Sequence, residues 1–98
     1  MKTPDNEREK QMQFMVIEHF KNQDAKAVYQ RFMEKGRMTP AGLTYVDSWV
    51  DASYDRCFQI MECDDVSLLQ QWVIQWHDLV RFEIIPVVQS ASAWKHFS

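Results

Sequence analysis

Few side chains in this sequence have types and spacing that could do chemistry. Glu18 and His19 are neighbours, so in an extended segment they point to opposite faces, and whichever turns inward becomes a buried ionisable group in need of a partner. A carboxyl or imidazole held in a cleft with a displaced pKa is the usual material of acid–base catalysis. Asp47 is a third base of this kind. Tyr45, Asp47, Trp49, Gln59 and Glu62 lie on two consecutive apolar segments and set polar groups among aromatic ones, the mixed lining of a small-molecule site. The same Asp47, Gln59 and Glu62 would serve equally as hydrogen-bonded contacts across a subunit interface. Arg37, inside the glycine-bounded stretch 36–42, offers a cation to an anionic ligand.

Several chemistries are excluded by spacing. His19, His77 and His96 form no H-x-H or H-x-x-x-H pair, and Cys57 and Cys63 form no C-x-x-C pair, so no metal site is expected. There is no G-x-G-x-x-G, no phosphate-binding loop with its lysine and no G-x-S-x-G elbow, so no cofactor is expected and no catalytic residue is assigned. The net charge is −3 over 98 residues. Lys21, Lys26, Arg31, Lys35 and Arg37 are interspersed with Asp24 and Glu34, the pattern of a solvated helix face rather than of a nucleic-acid surface. No apolar run approaches the roughly 20 residues that span a bilayer.

Cys57 and Cys63 fall six residues apart in one extended segment. At about 3.3 Å per residue they are ~20 Å apart, well beyond the roughly 7 Å limit of a disulfide. Unbridged cysteines, together with a polar, charged Met1–Gln11 that does not read as a signal peptide, make a cytoplasmic location the expectation.

The elements that must position these groups are legible from periodicity. Residues 1–11 have no apolar period and read as a flexible arm. Met12–Phe20 is short, aromatic and β-branched, a strand covered on both faces. Asp24 is a helix N-cap, followed by the stripe Ala25, Val28, Tyr29, Phe32 and Met33, with Gly36 as the stop. Leu43–Val50 and Arg56–Cys63 read as a hairpin joined by Asp51–Asp55. Asp64 and Asp65 open a second helix with the stripe Leu69, Trp72, Val73 and Trp76. The two stripes are expected to form the main core. Val80–Val88 is the last strand, at a sheet edge because it contains Pro86. Residues 92–98 form a tail that Trp94 would tie down. The order β-α-β-β-α-β over residues 12–91 predicts an α+β, ferredoxin-like sandwich: a four-stranded antiparallel sheet with two helices on one face.

With Asp51–Asp55 as the turn, Val50 lies opposite Arg56. Thr44, Val46, Ser48, Val50, Phe58 and Ile60 then share the face that suits the helices. Leu43, Tyr45, Asp47, Trp49, Cys57, Gln59, Met61 and Cys63 share the open face. Soluble monomers rarely leave so apolar a face uncovered, so a homodimer is expected. A pocket bounded by the first strand, the hairpin and the first helix, rimmed by Glu18, Tyr45, Trp49 and Gln59, follows from the need to satisfy polar groups on a covered face.

The segments Phe14-Met15-Val16-Ile17-Glu18, Gly42-Leu43-Thr44-Tyr45-Val46-Asp47-Ser48-Trp49-Val50 and Arg56-Cys57-Phe58-Gln59-Ile60-Met61-Glu62, with Asp78-Leu79-Val80 and Pro86-Val87, resemble an uncharacterised family of small bacterial domains, domain of unknown function 3303, over residues 12–91. In layout the chain is similar to dimeric α+β barrel proteins, among them cofactor-free monooxygenases, haem-degrading enzymes and stress-response barrels. The resemblance implies two facing sheets with a pocket inside the barrel or between each sheet and its helices. This chain lacks the His or Asn–Trp arrangement of haem or quinol chemistry. The leading expectation is a homodimeric small-molecule binding module. The alternatives are a small cofactor-free oxygenase or isomerase with Glu18, His19 or Asp47 as base, and a purely structural dimer.

Overall fold

The structure, a computed structural model, describes residues 11–97, so the arm expected at residues 1–11 lies outside the described residues but for its last member. Its organising element is β1 (Met12–Phe20), which pairs antiparallel on both sides, with β3 (Arg56–Cys63) and with β4 (Val80–Val87). β2 (Thr44–Val50) adds to the far side of β3. The result is an α+β fold with one open, four-stranded antiparallel sheet in the order β2-β3-β1-β4, and Pro86 lies on an edge strand as its missing N–H requires. The helices are α1 (Ala25–Lys35), α2 (Ser67–Ile74) and α3 (Ser90–Trp94).

Local chemistry fixes the helix ends. Asp24 Oδ1 accepts the Ala27 N–H at 3.1 Å, satisfying one free donor of the first turn of α1. Gly36 closes α1 at φ +70°, a backbone region that side chains disfavour, and its N–H donates to the Phe32 carbonyl at 2.7 Å. Asp65 Oδ1 accepts the Ser67 N–H at 2.9 Å at the start of α2. The two helices are tied on their outer side: Arg31 donates to both oxygens of Asp78 at 2.7 Å and to the Gln75 carbonyl at 3.1 Å.

Strand alternation separates the two sheet faces. Phe14, Val16, Glu18 and Phe20 of β1 turn toward the helices, beside Cys57, Gln59, Met61 and Cys63 of β3. The core forms there, from these residues with Leu43, Val28, Leu69, Trp72, Trp76 and Val80. The opposite face presents Met15, Ile17 and His19 of β1, Phe58, Ile60 and Glu62 of β3, and Asp47 and Trp49 of β2.

The hairpin register differs from the sequence expectation. Val50 pairs with Cys57, not Arg56, and the Asp51 N–H donates to the Arg56 carbonyl at 3.0 Å. The loop is therefore one residue shorter than Asp51–Asp55. Asp51 is the turn's organiser: it accepts the Asp55 and Arg56 N–H groups at 2.9 and 3.2 Å and the Arg56 side chain at 3.1 Å. Those bonds, the Asp55 N–H first, hold its carboxyl down at about 2. A bulge at Val46 shifts the register back, so Tyr45 again pairs with Met61. Leu43, Tyr45, Cys57, Gln59, Met61 and Cys63 do share a face, but it is the helix-covered one. Asp47 and Trp49 part from them, and Phe58 and Ile60 are on the open face.

The stripe of α1 is also less buried than its period suggests. Val28 is core, but Phe32 is 40 % exposed and Met33 lies in solvent. Beyond β4 the chain forms α3 and a single 3-10 turn, Lys95–Phe97, and Trp94 is exposed rather than tucked against the domain.

Trp72→Ala, which empties a fully buried ring, should cost about 3–5 kcal/mol in urea denaturation. Phe32→Ala should cost less than about half of that, because much of the ring already meets water. Equal losses would mean that α1 packs as closely as α2.

Candidate functional site

Between the sheet and the helices lies a cavity of about 110 Å³. Its floor is sheet, with Glu18 of β1, Ser48 and Val50 of β2, and Cys57 and Gln59 of β3. Its walls are rings: Phe20 at the end of β1, Tyr29 and Phe32 from α1, and Trp72 and Trp76 from α2 and the turn after it. Arg37 completes the lining from the loop that follows α1.

The polar centre is a carboxyl–amide pair. Gln59 Nε2 donates to Glu18 Oε2 at 2.6 Å, and the two residues are 4 % and 7 % exposed. They are diagonal neighbours on paired strands, since Glu18 lies opposite Cys57 and Val16 opposite Gln59. Burial pushes the Glu18 carboxyl up to about 7, with the Gln59 hydrogen bond and the charge of Arg37 acting in the opposite direction. The Cys57 thiol beside it is pushed up to about 12, first by burial and then by the Glu18 charge, which makes it a poor nucleophile at neutral pH.

Arg37 is held by its backbone. The indole N–H groups of Trp72 and Trp76, one helical turn apart, both donate to the Arg37 carbonyl, at 3.0 and 2.9 Å. The flanking residues Gly36 and Met38 have φ of +70° and +60°, so this clamp pins a loop that is otherwise conformationally costly. The Arg37 guanidinium carbon lies 3.5 Å from the centroid of the Tyr45 ring and 5.1 Å from that of Phe32. The Tyr45 hydroxyl is paired with Ser48 Oγ at 2.7 Å.

Of the residues singled out from sequence, Glu18, Gln59 and Arg37 meet at this cavity, with Tyr45 under Arg37. His19, Asp47, Trp49 and Glu62 do not; they are on the other face of the sheet. There His19 pairs with Glu83, Glu62 accepts from Gln13 Nε2 at 2.8 Å, and Asp47 Oδ1 accepts the Ser48 N–H at 2.8 Å. The separation follows from strand parity: Glu18 and His19 must diverge, and the hairpin register, with Trp49 opposite Phe58 and Asp47 opposite Ile60, turns both away from Gln59. Sequence reasoning assigned Trp72 and Trp76 to the core and missed their second role as pocket wall. The available signal was two indole donors one turn apart, each needing an acceptor. Among the described residues no group of three or more His, Cys, Asp or Glu comes together to hold a metal ion, and no helix is long and apolar enough to cross a membrane.

The titration of Glu18 has a definite sign. Its carboxyl goes from 4.5 in an unfolded chain to about 7 when folded, so the folded protein binds this proton more tightly. The stabilisation is fully present below about pH 4.5 and is lost as pH rises through about 7, with a loss of roughly 3 kcal/mol. Urea midpoints of the native chain measured against Glu18→Gln at pH 4.5 and pH 8 should show the difference shrinking or reversing at the higher pH. A pH-independent difference would place the carboxyl in water.

No curated protein and no solved structure matches the chain. A family model described as a domain of unknown function (DUF3303) matches residues 12–98, which takes in the whole sheet, both cavity helices and every residue of the carboxyl–amide site. The chain belongs to that family.

Proposed function

We propose that this chain is a homodimeric small-molecule binding domain, ferredoxin-like in strand order and of the dimeric α+β barrel type, whose ligand lies between sheet and helices against Glu18 and Gln59. The observation that carries the reading is the pair itself. A carboxyl and an amide are held almost wholly out of water inside an aromatic cavity, where unpaired polar atoms are costly and a ligand can satisfy them.

The open sheet face supports the dimer. Its two central rows are apolar but for one acidic residue at an edge of each: Asp47, Ile60, Met15 and Ile85 in one, Trp49, Phe58, Ile17 and Glu83 in the next. Glu62 and Gln13 flank this belt at one end, Arg56, His19 and Arg81 at the other. A second copy turned about a twofold axis across the strands sets apolar belt on apolar belt and brings each basic end to the partner's Glu62. Sedimentation at micromolar concentration should give a dimer, and Trp49→Asp, at a side chain 55 % exposed in the single chain, should give a folded monomer. A monomeric native chain would overturn the dimer.

The pocket is tested separately. A panel of single-ring compounds should shift the indole N–H resonances of Trp72 and Trp76, and Val28→Phe, which fills the cavity from α1, should abolish the shifts. No shift with any compound would overturn the binding reading. A second reading, a cofactor-free enzyme with Glu18 as the proton acceptor, is favoured by one observation: the Glu18 carboxyl titrates at about 7 and borders the cavity. Under that reading Glu18→Gln keeps ligand affinity but removes exchange of a ligand C–H proton with deuterated solvent.

A further inference from the structure

Gln59 has two polar ends, and the fold uses one. Its Nε2 is spent on Glu18, while Oε1 is buried and meets no protein donor among the described residues. A buried acceptor without a donor costs ~1–3 kcal/mol, and native folds keep such an atom where another molecule supplies the bond. Both indole N–H groups go to the Arg37 carbonyl, and the Tyr45 and Ser48 hydroxyls bond each other. At the Gln59 end of the cavity two acceptors thus lie side by side, the Gln59 Oε1 and the Glu18 carboxylate, while the Arg37 guanidinium in the same lining stands over the Tyr45 and Phe32 rings.

The rest of the lining restricts the ligand further. The walls are flat rings, and the volume of about 110 Å³, below the roughly 150 Å³ of a cavity that takes one benzene, leaves room for no more than a single ring. The lining carries one carboxylate, Glu18, and one guanidinium, Arg37, whose charges offset each other, so the cavity as a whole selects neither an anion nor a cation.

We propose that the pocket takes a neutral, planar, single-ring molecule with two adjacent hydrogen-bond donors on one edge, one bonding Gln59 Oε1 and the other the Glu18 carboxyl. The proposal rests on the pocket reading above and adds the ligand class. Gln59 is then a specificity-determining residue, for it selects a donor edge over an acceptor edge.

The probes are catechol, its monomethyl ether and its dimethyl ether, titrated into the 98-residue chain and followed by the Trp72 and Trp76 indole N–H resonances. Each methylation removes a donor and leaves the ring. Catechol should bind at least about tenfold more tightly than the dimethyl ether, the expected consequence of about 1.4 kcal/mol for each tenfold step, with the monomethyl ether between them. Gln59→Leu should bring catechol down to the dimethyl ether and leave the ether itself unchanged. Equal binding of the three compounds, or preference for the dimethyl ether, would overturn the donor-edge assignment while leaving the pocket reading intact. So would tighter binding of benzoate or benzylamine than of catechol. Absence of binding by every compound would overturn both. The ether series is read on the unaltered chain, so the test holds even where Gln59→Leu fails to fold.

Discussion

The double pairing of β1 is the constraint on which the rest of this structure depends. A strand hydrogen-bonded on both sides cannot rotate about its axis, so its alternate residues are committed to opposite faces along its whole length. Once Phe14, Val16 and Phe20 are drawn under the helices, Glu18 must go with them. The carboxyl is not placed by a loop that could yield. It is carried inward by three large apolar neighbours on the same strand, and that is how a group that prefers water is kept out of it.

The second organising feature is the clamp on the Arg37 carbonyl. One backbone oxygen receives both tryptophan donors, which joins α2 and its following turn to the loop after α1. The two rings serve the core with their faces and the loop with their edges. The loop in turn sets the guanidinium over Tyr45, at the border of the cavity. Core packing and site geometry thus share atoms, and the site has little freedom to relax independently of the fold.

Much of the fold was legible because it is written in short-range patterns. The strands, the Asp24 cap, the Gly36 stop, the apolar stripe of Leu69, Trp72 and Trp76 and the edge position of the Pro86 strand all follow from local residue types. The face assignment was not legible, because it turns on parity. Asp51 pairs with Arg56 and shortens the loop by one residue, and the inserted Val46 shifts the register by one again. Neither leaves a mark in composition. As a result Glu18 and Gln59 were named among candidates, but with Asp47, Trp49 and Glu62, which the sheet separates from them. The limited burial of Phe32 was hidden for a different reason: helical period reports which side of α1 is apolar, not whether that side faces close-packed core or a cavity.

The two ends of the sheet have a consequence for colloidal behaviour. β2 and β4 are edge strands, and unpaired strand edges are the surfaces through which β proteins polymerise. Each edge here is interrupted, β2 by the bulge at Val46 and β4 by Pro86, which has no N–H to give to an incoming strand. An added strand would find a broken ladder on either side. With both edges blunted in this way, growth by strand addition, the route to fibres, is disfavoured.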